Sequence, residues 1–334
     1  MSDRTLLPSP GRANRVSLAA TPVSAETGTL PTRSNRDDMA GSDSALGRSA
    51  AASAIVLWSA GNLIVKAVPM PGTQIAFWRV LLAAVVYWLI LRARGRVLTW
   101  AQFRTSAPAG IAISLELAFF FVAIKNTTVA NATIIGNLAP LVILVFGIGR
   151  FGEKASRLLF SMAGVAMAGV VMVVFGSSAQ PIWSPFGDVL AFVAMLLFAG
   201  YFVLAKTARA AVPAFEFQTG VWLAGAVVLA PVAIVEAGGL VFPSWEQWAW
   251  LSLLLLVPGT GHLAMNWAHS RVKLTVASML TLAIPVLSTI GAALFLDEAI
   301  VGWQIIGMAV VVGALAIAVR LDAPDDLPIE VVEV

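Results

Sequence analysis

"APLVILVFGIGRFGE", residues 139–153, recurs in altered letters as "IPVLSTIGAALFLDE", residues 284–298. In each, a proline stands thirteen residues ahead of a glutamate: Pro140 and Glu153, then Pro285 and Glu298. Both stretches are apolar enough for a bilayer, and both carry a helix defect. A proline cannot donate a backbone hydrogen bond, and its ring crowds the carbonyl four residues earlier. Pro140 thus frees the carbonyl of Gly136, and Pro285 frees that of Thr281. Asn137 and Thr281 put polar side chains beside the two breaks. The match extends upstream at the same offset of 145, from Ala132 and Thr133 to Ala277 and Ser278.

The surroundings are those of a membrane protein. Of 334 residues, 59% are hydrophobic and 12% charged. A soluble domain carries roughly 25% charged residues. A spanning helix needs about 20 mostly apolar residues. Ten stretches meet that demand: 49–68, 74–92, 106–124, 129–148, 157–176, 186–206, 214–236, 247–267, 273–296 and 301–320. Residues 1–47 are rich in Ser, Thr, Pro, Ala and Arg and read as a disordered cytoplasmic tail. Residues 321–334 form a short acidic tail. There is no cysteine, which excludes disulfides, thiolate metal sites and cysteine nucleophiles.

Arginine and lysine set the orientation. They crowd the N-terminal tail and the loops after spans 2, 4, 6 and 8, and Arg320 follows span 10. The opposite side holds only Lys66 and Lys125 at span ends, with Arg79 inside span 2. Both termini are therefore expected in the cytoplasm.

The first spans repeat as well. "LWSAGNLIVK", residues 57–66, lies against "LFAGYFVLAK", residues 197–206. The chain thus divides into 48–176 and 185–320, five spans each. Five is odd, so the second copy enters from the other side. Inverted repeats about an axis in the membrane plane are a transporter signature. The expected fold is an all-α membrane protein with two inverted five-helix repeats around a central cavity.

These residues resemble the drug/metabolite transporter superfamily, and within it the ten-span EamA-type exporters. The resemblance is carried by Leu57, Trp58 and Lys66 in span 1 and by Arg79 in span 2. It is carried further by Pro140, Gly152 and Glu153, and by Pro285, Asp297 and Glu298, where Asp297 replaces the usual glycine. It covers about residues 50–320. It implies export of small metabolites, often amino acids, through a cavity between the halves. The aromatic-amino-acid exporters (the YddG type) are the expected branch.

Polar groups inside spans mark the candidate site. A central charge costs roughly 2.5–3.5 kcal/mol on insertion scales. Glu116 lies mid-span, as a proton or substrate-amine site or as a neutral group bonded to a neighbouring helix. His262 has the same two readings. Span 8 is broken by Pro258, Gly259 and Gly261, and His262 and Asn266 share one face four residues apart. Asn137 is expected to face the cavity beside its break, and Thr281 adds a donor there. Asn62 and Lys66 share a face of span 1. Arg79 could meet a substrate carboxylate, whereas Lys206 reads as a snorkelling anchor. Trp58, Tyr201 and Trp267 lie deep enough to stack on a flat substrate. Pro140, Pro285, Pro258 and Gly259 are the expected hinges. Glu153 and Glu298 are expected to cap the helices that follow them or to form part of a gate. The pairs Gly164/Ala168 and Ala309/Gly313 are expected to let helices pack closely.

An enzyme would need a denser cluster than His262 and His269 offer, and no phosphate-binding glycine loop is present. No cofactor, metal or nucleic acid is expected. The expected partners are a small-molecule substrate, the bilayer and protons, with the chain acting as a monomer. A channel-like facilitator is the alternative, as is export of nucleosides, drugs or sugar derivatives.

Overall fold

The computed structural model describes residues 33–127, 129–175, 184–239, 241–295, 297 and 299–321. All regular structure among them is helical. In chain order the helices are α1 (Arg33–Ala67), α2 (Gly72–Ala93), α3 (Trp100–Asn126), α4 (Val129–Gly136), α5 (Ala139–Phe151), α6 (Arg157–Phe175) and α7 (Pro185–Arg209). They continue as α8 (Ala214–Ala237), α9 (Trp245–Leu254), a π-helical turn (Leu255–Gly259), α10 (Thr260–Ala268), α11 (Leu274–Thr281), α12 (Ile284–Phe295) and α13 (Gly302–Leu321).

Nine stretches among the described residues are long and apolar enough to cross a membrane. They are α1 from Asp43 to Val65, α2, α4–α5 from Ala132, α6, α7, α8 to Val235, α9–α10, α11–α12 and α13. α3, which carries Glu116, is not among the nine; it packs against α7 and α8. Large apolar side chains such as Phe146, Phe192, Val227, Val235, Leu294 and Phe295 face outward. That surface suits lipid, which does not penalise apolar exposure.

The two proline breaks lie where the sequence puts them. α4 stops at Gly136 and α5 begins at Ala139, with Pro140 in its first turn, where a missing N–H costs little. α11 stops at Thr281 and α12 begins at Ile284, with Pro285 in the same position. Gly152 closes α5 at φ 64°, and Asp297, the residue matched to it, has φ 53°. Aspartate is among the few side chains that tolerate this left-handed region, which explains how it replaces glycine there.

Loop contacts sort the two ends of the bundle. At the end holding the start of α1, Arg96 Nε lies 2.7 Å from Glu216 and Arg271 Nε 3.1 Å from Asp43. At the opposite end, Thr127 donates to Asp188 at 2.6 Å, and Gln247 donates to the carbonyl of Pro69 at 3.1 Å.

Two differences from expectation concern packing. α1 begins at Arg33, so residues 33–47 are helical rather than a disordered tail. Asp43 in this stretch is paired with Arg271 at 3.1 Å. The tails 1–32 and 322–334 lie outside the described residues. The tight glycine contact is Gly169 against Gly307, where α6 meets α13. A Cβ on Gly307 would stand 2.7 Å from the carbonyl oxygen of Gly169. Gly164 and Gly313 face open space, and Ala168 and Ala309 are exposed.

Candidate functional site

The site is organised by the defect between α9 and α10. Pro258 cannot donate to the carbonyl of Leu254, and the helix answers with a π turn over Leu255–Gly259. Gly61 of α1 lies directly against Pro258; a Cβ there would stand 2.8 Å from the proline Cβ. Three residues past the proline, Gly261 leaves room for Trp58, whose Cδ1 would be 3.0 Å from an added Cβ. α1 and α10 therefore meet through glycines, and Trp58 is seated between them.

Around His262 the sequence candidates converge. The Trp58 ring lies 4.9 Å from the His262 ring, and the Tyr201 ring lies 6.3 Å from it. Trp222 of α8 closes a further side at 5.2 Å, nearly perpendicular. One turn on, the Tyr201 hydroxyl donates to Asn266 Oδ1 at 3.1 Å, and Asn266 Nδ2 donates to Gln218 Oε1. Tyr201, Asn266 and Gln218 are fully buried. Buried polar chains of this kind hold only when each link is satisfied.

Opposite charges adjoin the cluster. Arg79 of α2 is buried, and Glu116 of α3 is half-buried. Their charges act on one another, and Arg79 also acts on His262.

A second polar assembly lies at the end of the bundle that holds the start of α1. Glu153 accepts from the backbone N–H of Leu274 at 2.6 Å and of Thr275 at 2.9 Å. Its Oε1 lies 3.0 Å from Lys206 Nζ, and both side chains are buried. Lys206 also donates to the carbonyl of Val272 at 2.8 Å. A carboxylate on free N–H groups at a helix start opposes the helix dipole. Two expectations are corrected here. Glu153 caps α11, not the helix that follows it: its carboxylate is taken up by the N–H groups of Leu274 and Thr275. Lys206 is no snorkelling anchor: Glu153 and the Val272 carbonyl satisfy it inside the protein.

Trp58, Tyr201, His262 and Asn266 are thus brought together, with Arg79 within electrostatic reach of His262 and Glu116 within that of Arg79. Four candidates are not. Asn62 is exposed and donates to Ser288 of α12 at 3.3 Å, linking two helices. Asn137 donates to the carbonyl of Thr133 in its own helix at 2.8 Å. The Thr281 hydroxyl bonds the carbonyl of Ser278 at 2.6 Å. These two side chains answer the loosened backbone at their own breaks instead of reaching the cluster. Trp267 lies under the guanidinium of Arg271 at 3.6 Å. The Lys66 side chain and Glu298 lie outside the described residues. Sequence reading missed Gln218 and Trp222. Their signal was a polar residue in a span with an indole four residues on, the same spacing as His262 and Asn266.

Comparison with known proteins agrees with this architecture. The model of the EamA-like transporter family matches twice in succession, over residues 45–175 and 185–320. The chain belongs to the EamA-like transporter family: it is a multi-pass membrane transporter of small molecules, not an enzyme. It is 26% identical over 257 residues to a protein of Archaeoglobus fulgidus named as an uncharacterized transporter, covering 73% of this chain and 87% of that one. It is 22% identical over 226 residues to the pseudopaline exporter CntI of Pseudomonas aeruginosa, covering 66% of this chain and 78% of that one. A solved crystal structure shares the fold with a TM-score of 0.71 at 23% identity, covering 85% of this chain and 99% of that one. Neither named relative is described as an aromatic-amino-acid exporter.

Proposed function

We propose that the chain exports small zwitterionic metabolites, most simply amino acids with a flat side chain, by alternating access. The observation that carries this reading is that Arg79 and Glu116 lie within electrostatic reach of one another, with the aromatic cluster of Trp58, Tyr201, Trp222 and His262 close to Arg79. A zwitterion would present a carboxylate to the first and an ammonium to the second. Trp58, Tyr201 and Trp222 pack around His262, and their rings suit contact with a flat group. Export is supported by the pseudopaline exporter among the relatives.

In this reading α3 is the tenth span, and the halves are inverted five-span repeats, which the paired breaks at Pro140 and Pro285 support. The arginine-rich loops support cytoplasmic termini, and in this reading the protein sits in a bacterial cytoplasmic membrane and works as a monomer. Pro140, Pro285, Pro258 and Gly259 are the hinges. The Glu153–Lys206 cap is the cytoplasmic latch that must open when the cavity faces inward.

Counterflow of amino acids into proteoliposomes tests the reading. Glu116→Gln should remove most exchange, and loss of pH dependence in the residual flux would make Glu116 the proton site too. Unaltered flux in this variant would overturn the role given to Glu116. Discrete current steps in single-channel recording would favour a facilitator instead.

A further inference from the structure

The His262 cluster holds buried donors that the chain does not use. Trp58 Nε1, Trp222 Nε1 and Gln218 Nε2 have no hydrogen-bond partner among the described residues, and neither has His262 Nδ1. All four residues are less than a tenth exposed. They surround one place: both indoles flank the same imidazole, and Gln218 is tied to Asn266, one turn from His262. The hydrogen-bond chain has a direction. It starts at the Tyr201 hydroxyl, passes through Asn266 and ends with the Gln218 amide N–H₂ free.

An indole N–H can only donate. An unmade buried hydrogen bond costs about 1–3 kcal/mol, and such groups are rare in native proteins. The two indoles beside the imidazole and the amide one turn on are unmatched by any acceptor among the described residues. A molecule that brings acceptors would satisfy them.

We propose that Trp58, Gln218 and Trp222 form a specificity subsite that reads hydrogen-bond acceptors on a flat, uncharged substrate side chain, such as a carboxamide or a neutral imidazole. The inference rests on the reading that Arg79 and Glu116 hold the zwitterionic end of the same substrate. Edge-on donors and flat aromatic walls favour a planar acceptor. A benzene ring or an aliphatic chain fits the walls but leaves the donors unmet. A second carboxylate would bring a charge for which the donors supply no cation. Sites built to bond a polar group discriminate strongly against analogues lacking it.

The test is counterflow with the full-length protein in proteoliposomes, using histidine, glutamine, phenylalanine, leucine and glutamate. The wild type should exchange histidine and glutamine with Vmax/KM at least about tenfold above phenylalanine and leucine. Trp222→Phe, which keeps an aromatic ring and removes the donor, should lower histidine and glutamine exchange far more than phenylalanine exchange and so erase most of that advantage. Gln218→Met should do the same, and Trp58→Phe serves if either variant elutes as aggregate. Phenylalanine, leucine or glutamate carried as well as histidine would overturn the subsite while leaving the zwitterion reading intact. Equal loss for every substrate in Trp222→Phe would overturn it too. Exchange of none of the five would remove the zwitterion reading and the subsite with it.

Discussion

Glu153 and Lys206 meet at 3.0 Å, although one ends the α5 segment and the other lies in the last turn of α7. The carboxylate also caps α11, so three separate segments are fastened by one side chain. Removing one partner of a buried pair typically costs about 3–5 kcal/mol, because the other is left uncompensated. Glu153→Ala and Lys206→Met should each lower the melting temperature of the detergent-purified protein. The double variant should be destabilised by clearly less than the sum of the two. Additive losses would show that the residues do not act as a pair.

Gly261 gives a local test of how Trp58 is seated. An added methyl would approach Trp58 Cδ1 to 3.0 Å and Leu57 Cβ to 3.1 Å. Overpacking of this kind costs about 1–3 kcal/mol. Gly261→Ala should shift tryptophan fluorescence and weaken substrate exchange, while Gly164→Ala, facing open space, should do neither. Identical behaviour of the two variants would contradict the geometry.

The contact between α6 and α13 should be equally sensitive. Gly307→Ala places a methyl 2.7 Å from a backbone oxygen, which cannot turn aside as a side chain would. Its melting point should fall, whereas Gly313→Ala should leave it unchanged or raised slightly through better helix propensity. Matching thermal curves for Gly307→Ala and the wild type would remove the close approach.

His269 follows α10 and is buried against Phe202, at 5.0 Å between rings. Burial, then the charges of Lys206 and Arg209, hold its imidazole down at about 3. An unfolded histidine titrates near 6.5. Below that pH the unfolded chain takes up a proton that the folded chain refuses. Its contribution to stability is therefore complete above about pH 6.5 and is lost progressively as the pH falls toward 3. His269→Phe should flatten the acid side of the stability profile; an unchanged acid slope would show that other groups set it.

Legibility from sequence followed the range of each interaction. Pro140, Pro285 and Pro258 each disturb their own helix, so their breaks could be read directly. Glu116, Arg79 and His262 were legible because polar groups in apolar spans need a reason. What faces them was not. Asn266 reaches Gln218 across 48 residues of sequence, and Glu153 reaches Leu274 across 121. Asn137 and Thr281 were misread because a side chain next to a broken backbone can bond its own helix first. The helix before residue 48 was hidden by its polar composition.

The π turn ahead of Thr260 sets an angle. It holds one residue more than an α-helical turn would, and each residue advances a helix by about 100°. Deleting a single residue between Leu255 and Gly259 would mend the hydrogen-bond ladder. Winding the present residues as a plain α-helix would instead swing His262 and Asn266 about a quarter-turn off their present bearing, away from Trp58 and Gln218. The flaw thus works as an alignment mark: a smoother helix would be better formed and would aim its polar face at the wrong neighbours.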